Sequence, residues 1–192
     1  MLNWINRLFF KDKSIESESE DEYQGDFSDC YVLSENRNTK FIIDFLNQFV
    51  PNRINTTEGY AIPHYAGNEV ITFKKDANLI EYLVENKTVT YSFYWENNKN
   101  SEITHAMCFF TNDGKIILGL STKTKFPNTE IEDNIMKKMK EFISNEYFLI
   151  TYEEPAPLNS LEFIELIHER NKEKVYKFFL DDKEIGTSKL NM

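Results

Sequence analysis

The stretch TVTYSFYWENNKNSEITHAMCFFTNDGKIILGL, residues 88–120, decides the fold. Its first part alternates small polar with large apolar residues up to Trp95, a period of two that predicts a half-buried strand. Residues 103–110 are apolar on both faces, so this second strand is expected at the centre of a sheet, covered on both sides. Asp113-Gly114 is a hairpin signal, and the returning strand contains Gly119, which indicates a close backbone approach or a bulge. The stretch therefore predicts an antiparallel meander of three strands.

The segments around this meander carry helical patterns. Apolar residues recur at helical spacing over residues 41–50, and Pro51 supplies the stop. Thr129 and Glu132 have the spacing of a capping box, which predicts that another helix starts there. A further strand is expected over residues 147–152. Because helices separate groups of strands, we predict an α+β protein whose sheet is mixed or mainly antiparallel, with helices packed mostly on one face.

Charge is unevenly distributed and divides the chain into three parts. The 192 residues include 22 basic and 32 acidic side chains, for a net charge of −10. Residues 1–13 are net positive, residues 14–29 hold acids and no base, and residues 30–192 are only mildly acidic. We predict an amphipathic helix over residues 1–13, a flexible acidic linker over residues 14–29 and a single α+β domain over residues 30–192.

The N-terminal segments each have two interpretations. The apolar residues of segment 1–10 fall on one side of a helix. This is typical of a membrane-surface or partner-docking segment, and also of a terminal helix packed on its own domain or on a second copy of the chain. The acidic linker is either a flexible tether or an arm that mimics nucleic acid. The simpler expectations are that segment 1–10 packs on its own domain or on a second copy, and that the acidic linker is a flexible tether.

Composition and spacing argue against several classes of function. No apolar run approaches the roughly 20 residues of a membrane helix, so no transmembrane segment is expected. Two isolated cysteines, Cys30 and Cys108, predict a reduced, cytoplasmic protein rather than a disulfide framework. The body has no basic block, which argues against general nucleic-acid binding. Metal-ligand spacings and Gly-rich phosphate loops are missing from the sequence, so we expect neither a metal nor a cofactor.

His105 is the histidine best placed for chemistry. It lies on the predicted central strand, on the same face as Ile103, Met107 and Phe109. It is either a general base at the edge of the sheet or a core histidine satisfied by one or two hydrogen bonds. Cys108 points to the opposite face, which argues against a Cys–His pair on one face of this strand.

Four residues are candidate contacts for a protein partner. Trp95 and Glu96 end a dense aromatic cluster, and aromatic residues on an uncovered sheet face favour binding. Glu153 and Glu154 precede Pro-Ala-Pro, which predicts a rigid acidic ridge for a basic partner. The alternative is that the aromatic residues belong to the core and the acids are simply solvated.

The stretch from Thr104 to Ser121, followed by the capped helix and by residues 147–157, resembles small bacterial immunity proteins in its layout. Proteins of this kind are cytosolic and neutralise polymorphic or contact-dependent toxins. The resemblance implies a non-enzymatic, acidic, single-domain inhibitor of one cognate toxin, and it assigns no functional residue. Because many toxin domains are basic nucleases, an acidic partner would gain association rate by electrostatic steering.

Three hypotheses for the function follow from the sequence. The first is a cytoplasmic protein-binding domain that acts as an immunity protein against a basic toxin domain. The second is a small enzyme with a sheet-edge cleft near His105. The third is a peripheral scaffold or adaptor that docks through residues 1–10.

Overall fold

The computed structural model describes residues 27–56, 59–62, 70–97, 101–125, 128–144, 147–152 and 154–170. Its strands are β1 (Phe27–Ser34), β2 (Arg53–Asn55), β3 (Tyr60–Ile62), β4 (Ile71–Phe73), β5 (Tyr91–Asn97), β6 (Ile103–Phe110), β7 (Ile116–Lys123) and β8 (Phe148–Tyr152). Its helices are α1 (Thr39–Phe49), α2 (Asp76–Glu85), α3 (Glu130–Phe142) and α4 (residues 160–170). The amphipathic helix expected over residues 1–13 lies outside the described residues.

Six strands form one antiparallel sheet in the order β2-β5-β6-β7-β1-β8. The predicted meander β5-β6-β7 lies within it, and β3 and β4 form a separate pair. Gly114 in the turn between β6 and β7 has a φ of 82°, which glycine adopts without steric cost. The sheet and its helices confirm the predicted α+β class. None of the helices in the described ranges is long and apolar enough to cross a membrane.

The sheet has an inner face, which packs against α1, α2 and α3, and an outer face, which packs against α4. The inner core includes Cys108 and Phe110 of β6 together with apolar side chains from all three helices. The outer core is smaller and joins Tyr31 of β1 to Phe163 and Ile167 of α4. With three helices on one face and one on the other, the prediction of helices mostly on one face is confirmed.

β1 is a strand that the sequence analysis missed. It lies between β7 and β8, and its residues from Ser28 onward are buried. Since β1 starts at Phe27, the last residues of the predicted linker belong to the sheet. The sequence did not indicate this strand, because Ser28 and Asp29 at its start are polar. Both residues are nevertheless buried, and hydrogen bonds rather than apolar packing accompany their burial. Ser28 Oγ donates to Glu132 Oε1 at 2.7 Å, and Asp29 accepts a hydrogen bond from Ser121 Oγ.

A β-bulge changes the face to which the start of β6 points. Ile103 pairs with Thr122 and His105 pairs with Ser121, which leaves Thr104 as the extra residue. Ile103 therefore packs against the inner core, whereas His105 lies on the outer face. The prediction that these two residues share a face was wrong, because a period of two does not continue through a bulge.

Gly119 on β7 permits the close approach expected from the sequence. The ring of Tyr31 lies across it, so a Cβ at this position would meet Tyr31 Cε1 at 2.6 Å and Met107 Cε at 3.0 Å. Tyr31 is fully buried and donates a hydrogen bond to Met107 Sδ at 3.6 Å. The glycine thus makes room for a tyrosine ring between the sheet and the outer core.

Arg37, just before α1, is buried and is bound by backbone carbonyls rather than by a carboxylate. Its guanidinium packs over the ring of Phe110, 4.7 Å from the centroid, and burial lowers its pKa. Its two Nη atoms donate to the carbonyl oxygens of Leu83, Asn86, Lys87, Val89, Thr111 and Lys115. One side chain therefore joins the end of α2 to the turn between β6 and β7.

The N-terminus of α3 differs from its prediction. Thr129 is the N-cap but makes no side-chain cap hydrogen bond, and Asn128 Oδ1 accepts from the N–H of Glu130 at 3.0 Å instead. The predicted capping box was wrong because Glu132 turns inward to Ser28 rather than back to the cap.

The N-terminus of α4 is capped by a side chain. Asn159 Oδ1 accepts from the N–H groups of Leu161 at 2.9 Å and Glu162 at 3.3 Å. Ser160 Oγ also donates to Asp113 in the turn between β6 and β7. These bonds fix the start of α4 on the outer face.

Candidate functional site

One half of the outer face is not covered by α4, which packs on residues of β1, β6, β7 and β8. On the other half, Ile54 of β2 is 44% exposed and Tyr94 of β5 is 43% exposed. Glu96 is exposed beside them. Ile54 lies directly opposite Glu96 in the register, and Tyr94 is the next residue of β5 on the same face. We name Ile54, Tyr94 and Glu96 the outer patch.

Trp95, predicted as a partner contact, is fully buried. It lies on the inner face, stacks on Phe93 with a centroid distance of 5.1 Å, and donates from Nε1 to Asp76 Oδ2 at 3.0 Å. Burial leaves Trp95 no surface that a partner could contact. The prediction of Trp95 as a partner contact was therefore wrong, and the residue belongs to the core. The exposed aromatic of β5 is its neighbour Tyr94, since successive side chains of a strand alternate between faces.

A cleft of about 680 Å³ opens at the end of the sheet that carries His105. The ends of β5 and β7, the starts of β1 and β6, and one residue of α3 line it. We name it the sheet-end cleft. It lies at the place where the enzyme hypothesis expects one, next to the bulge at Thr104. Bulges commonly re-aim side chains at binding and catalytic sites.

The hydrogen bonds around His105 determine where its ring carries a proton. Thr104 Oγ1 donates its one proton to the carbonyl of Ser121 at 3.1 Å. It can therefore only accept from His105 Nδ1, which lies 3.1 Å away. With Nδ1 donating to Thr104, Nε2 of the neutral ring is left as a hydrogen-bond acceptor. The ring of Phe27 packs edge-on against it with centroids 6.0 Å apart.

Opposite charges lie on opposite sides of the sheet-end cleft. Glu96 at the end of β5 is the acidic side, and Glu102, which directly precedes β6, lies between the two sides. Lys123 at the end of β7 and the nearby Lys125 form a basic side. β6 lies between β5 and β7, so the two sides are about 10 Å apart at the usual strand spacing. Across the part of the chain that the structure describes, none of the ion pairs involves these four residues.

Glu154 lies at the far side of the sheet, beyond β8. Its carboxylate is ion-paired with Arg170, which also donates from Nη1 to the carbonyl of Ile150 at 3.0 Å. Four strand spacings, about 19 Å, separate β5 from β8. Glu153 lies outside the described residues.

Of the three predicted contact residues that the structure describes, Trp95 is buried, Glu154 lies at the far side of the sheet, and Glu96 alone belongs to the outer patch. Sequence reasoning missed the other two members. The signal for Tyr94 was present, because placing Trp95 in the core requires its neighbour to face outward. Ile54 lies in a strand of three residues, which is too short for a periodic pattern.

Both cysteines lie in the inner core as free thiols. Burial raises the pKa of Cys30 and of Cys108 above the ordinary value of 9.0, and nearby acidic residues add to the effect at Cys30. A nucleophilic role requires a thiolate, which burial disfavours. Within the described ranges, no group of three or more His, Cys, Asp or Glu side chains is placed to hold a metal ion.

The outer patch and the sheet-end cleft are thus two candidate functional surfaces of the described residues. Comparison of the chain with protein-family models, curated proteins and solved structures found no match.

Proposed function

We propose that this protein is a non-enzymatic binding domain that captures a basic protein through the outer patch, as an immunity protein captures its toxin. The exposed Tyr94 and Ile54 beside Glu96 are the observation that supports the proposal. Protein interfaces combine a core of aromatic and aliphatic side chains with a polar rim. The outer patch has this composition.

The anchor of the proposed interface is held in place before a partner binds. Tyr94 packs edge-on against Phe109, with ring centroids 5.8 Å apart. Thr56 Oγ1 donates to the backbone carbonyl of Tyr94 at 3.0 Å. A side chain that is already ordered loses little conformational entropy on binding, so more of its contact energy remains as affinity.

The charge of the chain favours a basic partner. A net charge of −10 attracts a positively charged domain and repels an acidic one, which raises the association rate of the first. A basic nuclease toxin acting in the cytoplasm fits this chemistry. Because salt screens long-range attraction, association should slow as the salt concentration rises.

A pull-down with the full chain as bait, at low and moderate salt, tests the proposal. We expect one stoichiometric partner with a basic domain, retained less strongly at the higher salt concentration. That domain should arrest bacterial growth when expressed alone, and co-expression with this chain should restore growth. A partner without a basic domain, or without toxicity that this chain relieves, would contradict the immunity function.

Substitutions test whether the outer patch is the surface involved. Tyr94→Ala should weaken partner binding by at least about tenfold, because removal of an aromatic hot spot commonly costs about 2 kcal/mol or more. Leu161→Ala is the matched control, since Leu161 on α4 is 66% exposed and lies outside the patch. Binding is measured by titration calorimetry after thermal melts establish that both variants fold. Equal affinities of the two variants would exclude this surface.

A further inference from the structure

We propose that the sheet-end cleft binds a small zwitterion of amino-acid or dipeptide size, with its ammonium group at the acidic side and its carboxylate at the basic side. This inference goes beyond the proposed protein binding. It rests on the cleft rather than on the exposed apolar residues of the outer patch, although Glu96 borders both.

The cleft has the size and the rigid walls of a small-molecule site. Its volume of about 680 Å³ falls within the range of roughly 300–1,000 Å³ that such sites occupy. β5, β6 and β7 are paired up to this end of the sheet. Glu96 and Lys123 are carried by strands of one sheet, so the backbone positions of the two sides keep a fixed separation.

The charge pattern determines the class of ligand. A simple anion that approached Lys123 and Lys125 would also meet two carboxylates, and a simple cation would also meet two ammonium groups. A ligand with one charge of each sign, oriented across β6, is complementary at both ends. The same arrangement disfavours singly charged relatives, because one side of the cleft would then be left without its partner charge.

Between the charged sides lies one hydrogen-bond acceptor, Nε2 of His105. Nδ1 of this ring bonds to Thr104, and Nε2 has no partner among the described residues. A ligand N–H can donate to it. Asn97 Oδ1 also lacks a partner among the described residues, but it is buried from solvent and is not offered to a ligand.

The cleft also has an apolar part. Phe27 of β1 and Ile131 of α3 line it, and the ring of Phe27 is held edge-on against His105. A ligand with an apolar side chain would remove that side chain from water here. We therefore expect phenylalanine to bind more tightly than glycine.

An NMR titration of the full chain with L-phenylalanine and with the dipeptide Gly-Phe tests the proposal. The expected result is a saturable shift of the amide signals of Asn97, His105 and Lys123 with at least one of the two probes. N-acetylphenylalanine lacks the ammonium charge and phenylalanine amide lacks the carboxylate, so each should bind at least about tenfold more weakly. The proposal is overturned if neither probe shifts these signals at about 10 mM, or if the singly charged analogues bind as tightly.

A double lysine variant tests the contact with the ligand carboxylate separately from the contact with its ammonium group. The double substitution Lys123→Ala, Lys125→Ala should weaken binding of the zwitterion about tenfold and strengthen that of phenylalanine amide, because the cation then no longer meets two ammonium groups. Lys138→Ala on α3, an exposed lysine away from the cleft, is the control and should change neither. Since both substituted lysines lie outside the outer patch, loss of zwitterion binding with retained partner binding distinguishes this inference from the proposed function.

Discussion

Position 119 on β7 has space for a hydrogen atom but not for a methyl group, since the ring of Tyr31 would lie 2.6 Å from an added Cβ. Gly119→Ala should therefore lower the free energy of unfolding by about 1–3 kcal/mol, the usual cost of an overpacked core. Gly59→Ala is the control, because its nearest atom is the carbonyl oxygen of Phe73 at an ordinary 3.8 Å. Urea denaturation of both variants measures the difference. Equal stabilities would mean that Tyr31 can move aside.

The prediction for Gly119 is confirmed, since the ring of Tyr31 makes the expected close approach there. Glu96 is exposed, and its role as a partner contact stays a prediction. Strand alternation places Trp95 on the same face as Phe93, which is buried. The aromatic side chain of Trp95 nevertheless suggested a surface contact. The face of Ile103 was not predictable, because the bulge at Thr104 depends on pairing with β7 rather than on the local sequence.

At the scale of elements, Arg37 ties the end of α2 to the turn between β6 and β7. Arg37→Lys should lower the free energy of unfolding by about 3 kcal/mol, because an ammonium group cannot reach all of these carbonyls and leaves buried acceptors unpaired. Arg53→Lys is the control, since Arg53 makes an exposed hydrogen bond to Asn47 and its substitution should cost less than about 0.5 kcal/mol. Urea denaturation provides the measurement. An unchanged midpoint for Arg37→Lys would show that these bonds contribute no net stability.

Long periodic segments predicted their elements well. The meander and the helix before Pro51 follow directly from periods of two and of 3.6 residues. β1 escaped prediction because Ser28 and Asp29 obtain their burial from partners more than ninety residues away in the chain. Such hydrogen bonds leave no local pattern, so an acidic stretch and a buried strand end are indistinguishable in the sequence.

At the scale of the whole molecule, burial of both thiols makes stability depend on alkaline pH. The folded-state pKa values of Cys30 and Cys108 lie above the 9.0 of an exposed thiol. Above pH 9 the unfolded chain therefore loses protons that the folded chain keeps, and the stability present below that pH declines. We expect a loss of roughly 1 kcal/mol for each thiol between about pH 9 and about pH 10.

Urea denaturation at several pH values in this interval checks the slope. The double variant Cys30→Ala, Cys108→Ala should have a flatter dependence, whatever its stability at neutral pH. An equally steep dependence in the double variant would assign the effect to other groups.

The overall layering was predictable, but the location of the candidate site was not. Amphipathic helices indicate that a sheet face is covered, and this pattern predicted the class of the fold. Which half of the outer face stays open depends on where α4 docks, and the contact of Ser160 with Asp113 fixes that position across 47 residues of chain. The sheet-end cleft likewise joins residues from Phe27 to Ile131, a combination that only the folded chain brings together.

The bond from Arg170 to the carbonyl of Ile150 has a consequence for aggregation. Among the strands that the structure describes, β8 lies at an edge of the sheet, and edge strands present backbone groups along which another chain can add as a further strand. Arg170 occupies one of these carbonyls, and its positive charge lies beside the edge. An incoming strand must first displace this guanidinium from both the carbonyl and Glu154. The end of α4 thereby opposes edge-to-edge association of strands, which is the route by which sheet proteins polymerise.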